Sequence, residues 1–202
     1  LQLPFMGDNP EVLAPIADRF YRKNLAGYGE FKGVHPLSVY VVSPGQVFNV
    51  KRPLRSLADC KGLKFRSPQP SVTQALTLLG ATPVTKPATE TYELVSSGVL
   101  DGTVMPPESI LPFKLVDASK YGTVIPGAIT NSILTLAINE AKWQSLSQQD
   151  RDAITAISGA KFARAIGEAY IAGDQATWDA MRKANKSVET GSPGLVAQME
   201  TA

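Results

Sequence analysis

A cationic side chain placed where a strand ends is the first feature of this chain that could do chemistry. In Lys61-Gly62-Leu63-Lys64-Phe65-Arg66-Ser67-Pro68, Leu63 to Arg66 reads as a short strand that stops at Pro68 and Pro70. Ser71 is then the expected cap of a helix from Val72 to Leu79, closed by Gly80. Arg66 would therefore stand at the carboxyl end of a strand and ahead of a helix, which is where open α/β sheets bind ligands. Its guanidinium offers a planar fork of N–H donors matched to a carboxylate or a phosphate. A lone arginine more often belongs to a surface ion pair, so the ligand-binding reading depends on its surroundings.

Equipment for covalent chemistry is thin. The single histidine, His35, precedes Pro36 and reads as an exposed or hydrogen-bonded loop residue. The single cysteine, Cys60, excludes an internal disulfide and a multi-thiolate metal site. No Gly-x-Ser-x-Gly elbow, Walker loop or dinucleotide glycine fingerprint occurs. Glu90, Asp101 and Glu108 could assist a hard cation, and Glu90 with Asp101 could form an acid–base pair, but solvated or capping roles are the commoner use of such carboxylates. Trp143, Phe162, Tyr170 and Trp178 lie on or beside a helical stripe, where core packing is their default. These residues favour a binding protein that needs no cofactor or metal. A small α/β enzyme or sensor domain acting on a carboxylic acid is the alternative, and a non-binding remnant a third possibility.

The elements that must position Arg66 follow from the apolar pattern. The chain has 202 residues, 44% of them hydrophobic, enough for two small lobes with separate cores. A net charge of +2 with interspersed signs offers no footprint for nucleic acid, and no apolar run approaches the roughly 18 residues of a membrane span. Asn9 and Pro10 open a predicted helix to Arg22, closed by Gly27 and Gly29. Leu37 to Val42 reads as a strand buried on both faces of a parallel sheet. Further strands are expected at Val47 to Val50, around Ala81 to Val84, after a tight Asp101-Gly102 turn, and from Ser132 to Asn139. Helices are expected at Glu90 to Ser97 and at Ser109 to Leu115, and Ser56 can cap a short turn. From Ser147 to about Lys186 the pattern is helical throughout, with Gly159, Gly167 and Gly173 as places to bend or divide. A helix of that length more naturally bridges two lobes than belongs to one.

Several blocks together resemble a known family. Leu57-Ala58-Asp59-Cys60-Lys61-Gly62-Leu63-Lys64-Phe65-Arg66, Leu79-Gly80-Ala81-Thr82-Pro83, Glu90-Thr91-Tyr92-Glu93-Leu94, Gly98-Val99-Leu100-Asp101-Gly102 and Asn139-Glu140-Ala141-Lys142-Trp143-Gln144-Ser145-Leu146-Ser147 are similar, in order and spacing, to the TRAP-transporter substrate-binding proteins of the DctP type. The resemblance runs from about Pro4 to the end of the chain. It implies a two-lobed, periplasmic-binding-protein-like α/β architecture with mixed sheets and a long bridging helix. It also implies a location in the periplasm and delivery of a small organic acid to TRAP membrane subunits. Residues 1–44 and 131–170 would form lobe I, and 45–130 with 171–202 lobe II. The family's opening βαβ segment has no counterpart ahead of Leu3-Pro4-Phe5, so lobe I is expected to be incomplete and a dimer or partner chain could complete it.

The resemblance matches Arg66 to the arginine that pairs with the ligand carboxylate. Departures from sialic-acid-binding members suggest a less polar site. Their Gln-Glu-Asn-Pro is Thr103-Val104-Met105-Pro106 here, so Met105 replaces a ligand-contacting asparagine. A phenylalanine is matched by Ala88, which leaves room, and a second arginine has no counterpart near Gln46 or Val47. Met105, Pro106, Tyr92 and Ala88 are thus the expected lining around Arg66, for a monocarboxylate with an apolar or aromatic body.

Overall fold

The computed structural model describes residues 4–202. They divide into two units, one of residues 9–42 and 132–171, the other of residues 4–8, 43–131 and 172–202. Residues 4–8 thus group with the second unit and not with the lobe expected from sequence. Phe5 N–H donates to Ala128 O at 2.9 Å and Gly127 N–H to Asp8 Oδ2 at 3.3 Å, which ties the segment there.

In the first unit, α1 (Pro10–Phe20) starts as its sequence dictates, with Asn9 accepting from Val12 N–H and Pro10 in the first turn. It runs on through a π-turn, Tyr21–Leu25, and a 3-10 turn that ends at Gly29. Strand β1 (Val34–Val41) begins earlier than expected and pairs antiparallel, with β7 (Ile133–Asn139), in a two-stranded sheet. An apolar run reads alike in either orientation, and what covers β1 here is α1, whose Ala14 and Ala17 pack with Val41 and Ala163. Asp18, 1% exposed, accepts from Val39 N–H at 3.0 Å and from Arg22 Nε at 2.7 Å, holding helix to strand.

The second unit is built on a six-stranded mixed sheet ordered β4-β3-β5-β2-β6-β8: β2 (Gln46–Asn49), β3 (Lys64–Ser67), β4 (Thr82–Thr85), β5 (Gly102–Met105), β6 (Tyr121–Val124) and β8 (Ser187–Thr190). Strand β3 runs parallel to β4 and β5, β2 is antiparallel to β5 and β6, and β6 is parallel to β8. Gly102 opens β5 without forming the tight turn expected. A Cβ there would lie 2.1 Å from Phe48 O, so only glycine lets β2 come that close.

Strand alternation makes two cores from this sheet. Val47, Phe65 and Val104 pack beneath α2 (Pro70–Leu78) and α8 (Pro193–Thr201), with Val72, Leu76, Leu195 and Met199. Phe48 and Met105 face the other way and join Ile110, Leu115, Trp178 and Met181. Each large side chain removed from water contributes about 1.5–3 kcal/mol before ordering costs. Between strands lie α3 (Thr91–Ser96), preceded by a 3-10 turn, and α4 (Leu115–Ala118), where one helix from Ser109 to Leu115 was expected. Lys114 takes a left-handed φ of 58° and separates a second 3-10 turn, Pro107–Ser109, from α4.

The long helical pattern from Ser147 divides into α6 (Gln148–Ile157) and α7 (Gly159–Lys183), and a short α5 (Glu140–Ser145) precedes it. The break between α6 and α7 is at Gly159, whose φ of +63° suits glycine, and the Ser158 hydroxyl turns back onto Ile154 O at 2.7 Å. Gly167 and Gly173 stay inside α7. This helix belongs to the first unit up to Ile171 and to the second from Ala172. Accordingly Phe162 meets Tyr40 edge-on in the first unit, while Trp178 stacks on Phe48 in the second.

Candidate ligand-binding site

Arg66 is fixed by the strand-then-proline grammar of its sequence. Strand β3 ends at Ser67, whose hydroxyl contacts Gln69 O at 3.1 Å and Thr73 Oγ1 at 2.8 Å, turning the chain into α2. Pro70 takes the first helical position, so the helix starts ahead of Ser71 and Gln69 replaces the expected serine cap. The chain leaves β3 for β4 on one side and returns to β5 on the other. That reversal makes the carboxyl ends of β3 and β5 a topological switch point, and Arg66 sits on it.

The setting of the guanidinium is unusual for a cation. Arg66 is 7% exposed, and its Nε donates to Lys86 O at 2.8 Å. Its Nη groups make no hydrogen bond and meet no carboxylate oxygen within 4.0 Å among the described residues. Burial therefore draws its pKa below the usual arginine value. In register Arg66 lies beside Thr103 and Val84, and alternation puts it on the same sheet face as Phe48 and Met105. The Lys86 carbonyl fixes one edge of the fork and leaves the two Nη groups to engage an acceptor.

The other four expected lining residues fare differently. Ala88 heads the 3-10 turn after β4, half-buried and packed on the Phe48 core, and Pro106 follows β5, also half-buried. Met105 is 2% exposed inside that core, so its side chain is core filling. Tyr92 is 42% exposed on α3, whose buried side is Thr91 and Val95. What sequence did not reveal is the tether on Arg66: a backbone carbonyl carries no residue signature, although the Lys86-Pro87 break marks a turn at that place.

The remaining reactive candidates have structural employment. Cys60 is buried, which pushes its thiol up to about 11 and keeps it protonated. Asp101 accepts from Lys64 N–H at 2.8 Å, and Glu90 pairs with Lys86 at 3.1 Å. His35 lies within β1, not in a loop, and stacks on Trp143 with ring centres 4.2 Å apart. Among the described residues no three His, Cys, Asp or Glu side chains group so as to hold a metal ion.

A family model described as bacterial extracellular solute-binding protein, family 7 (DctP), matches residues 1–201. The chain belongs to that family. TsaT of Comamonas testosteroni, named an outer membrane transporter protein, is 33% identical over 167 residues, 82% of this chain and 49% of TsaT. A TRAP periplasmic solute-binding protein from Bordetella bronchiseptica, solved with bound (R)- and (S)-mandelate, is 32% identical with a TM-score of 0.92, covering 99% of this chain and 64% of that one. A marine-metagenome TRAP solute-binding protein specific for aromatic acids, in complex with 3-hydroxybenzoate, is 27% identical with a TM-score of 0.92, covering 99% and 62%. The family 7 chain thus spans about half the length of TsaT and under two thirds of the two solved structures. No helix of the described residues is long and apolar enough to cross a membrane.

Proposed function

We propose that this family 7 chain is part of a periplasmic TRAP receptor that binds a small carboxylic acid with an apolar or aromatic body and passes it to membrane subunits. The observation that carries the reading is Arg66: a buried guanidinium at a switch point, tethered once, with no acidic partner among the described residues. Burying an unpaired charge is costly, and a ligand carboxylate binding both Nη groups would offset that cost while orienting the acid. Ala88 and Pro106, both half-buried, are taken as small and apolar lining and Tyr92 as a rim residue, while Met105 belongs to the Phe48 core. Family relatives support the class of acid, since the Bordetella protein holds mandelate and the marine protein is specific for aromatic acids.

Calorimetry with (R)-mandelate, 3-hydroxybenzoate and glucuronate tests this directly. The aromatic acids should bind and glucuronate bind more weakly, with each acid recovered unaltered by mass spectrometry. A preference for glucuronate, or turnover of a bound acid, would overturn the reading.

A further inference from the structure

The loop after β5 and helix α7 are joined by two hydrogen bonds, at a place where two acids, Glu108 and Asp174, are buried. Glu108 N–H donates to Asp174 Oδ1 at 2.9 Å, and the Thr177 hydroxyl to Pro107 O at 2.7 Å. A Cβ on Gly173 would lie 2.7 Å from Glu108 Cβ, so only glycine admits this approach. Glu108 Oε1 accepts from the Ser109 hydroxyl at 2.8 Å, while Oε2 is buried with no hydrogen-bond partner among the described residues. No lysine, arginine or histidine nitrogen among those residues reaches within 4.0 Å of either carboxyl group. What faces the pair from the other elements is neutral or acidic. Asp174 lines a cavity of about 190 Å³ with Asp8, Gln46, Pro107 and Trp178. Farther along α7, Asp179 is engaged by Arg182 at 3.2 Å.

We propose that Glu108 and Asp174 form a proton-operated catch, which fastens α7 to the loop after β5 and slackens when both carboxyls ionise. Two negative groups in a space without a cation repel each other and lack solvation. A proton on Glu108 removes the repulsion and leaves Asp174 free to hold the Glu108 N–H. Burial is the main cause that pushes Glu108 up to about 7, with Asp174 adding to it against the Ser109 hydrogen bond. Burial likewise pushes Asp174 up to about 6, opposed by the Ser43 hydroxyl and the Glu108 N–H. Both folded values lie above the ordinary carboxylate range, so the folded state holds more protons than the unfolded one between them. The contribution is complete below the ordinary carboxylate range and is lost as pH rises from there toward about 7. The catch follows from these contacts alone and is independent of what Arg66 binds.

Thermal unfolding from pH 5 to pH 8, with and without Glu108→Gln, and carboxyl-carbon NMR titration of the wild type provide the test. The wild-type Tm should fall by several degrees over that range, and Glu108→Gln should remove most of the fall. The NMR midpoints of Glu108 and Asp174 should lie well above the ordinary range. A fall of equal size in the variant, or midpoints in the ordinary range, would overturn the catch. Should the variant fail to fold, the wild-type NMR titration decides.

Discussion

Arg55 and Arg66 lie close in sequence, in one unit, and in opposite electrostatic settings. Arg55 has a side chain 71% exposed and gives a two-pronged hydrogen bond to Glu189, at 2.9 and 2.8 Å. That partner raises the Arg55 pKa, and Arg55 in turn lowers that of Glu189. Arg66 is buried, holds a single carbonyl, and has its pKa lowered by desolvation. The fork of Arg55 is already filled by a protein carboxylate in water, where the pair contributes little. Among the described residues the fork of Arg66 meets no acid, in a setting where pairing matters most. A guanidinium marks a ligand site when its surroundings make an added anion valuable, and residue type alone says nothing of that.

The largest effect should come from breaking this contrast at its buried end. Arg66→Ala is expected to weaken (R)-mandelate binding by about 2–5 kcal/mol, a loss on the order of 30- to several-thousand-fold, while Arg55→Ala leaves the affinity unchanged; calorimetry on both variants checks the pair. Met105 sharpens the next level. As a core residue packed with Phe48, its replacement by Ala should cost about 2–5 kcal/mol of stability in urea unfolding, with a smaller change in mandelate affinity. A large affinity loss with little destabilisation would instead put Met105 against the ligand.

Smaller effects belong to the exposed end. Ser56 and Asp59 form a reciprocal cap beside Arg55, with Asp59 Oδ2 accepting from Ser56 N–H at 2.8 Å and Arg55 N–H at 3.0 Å. Ser56→Ala should cost about 0.5–2 kcal/mol by thermal or urea unfolding and leave ligand binding untouched. Asp59 and Glu189 are both held below the ordinary carboxylate range, Asp59 by those N–H groups and Glu189 by Arg55. Their stabilisation is present above that range and lost as pH falls through the lowered values. The slope is therefore opposite to that of Glu108 and Asp174, and Asp59→Asn should flatten the acid limb of a Tm–pH curve without altering the limb above pH 5.

Much of the second unit was legible because local chemistry and fold agree there. Ser56 with Asp59, the strand ending at Arg66 and Pro70, and Gly80 closing α2 each carry a local signal that the tertiary structure keeps. Strands β6 and β8 gave no comparable signal. Tyr121-Gly122-Thr123-Val124 buries a glycine under Trp178, whose ring would lie 2.9 Å from a Cβ there, so its inner face lacks the usual side chain. Orientation was also hidden: the apolar run of β1 reads the same whether it pairs parallel or, as found, antiparallel with β7. In the long helical stripe the place of the break was hidden, because Gly159, Gly167 and Gly173 are alike in sequence and only Gly159 takes a positive φ, of 63°. At the candidate site the arginine was visible and its tether was not, since Lys86 contributes only its carbonyl.

The pairing of Arg66 with a ligand carboxylate is tested most directly by changing both partners together. (R)-Mandelate and its uncharged amide, titrated by calorimetry into wild type and Arg66→Ala, isolate the charge interaction from the rest of the contact. Wild type should prefer the acid by at least about tenfold, roughly 1.4 kcal/mol, and the variant should lose that preference. Equal binding of acid and amide by wild type, or an undiminished preference in Arg66→Ala, would contradict the assignment of Arg66 as the carboxylate-binding residue.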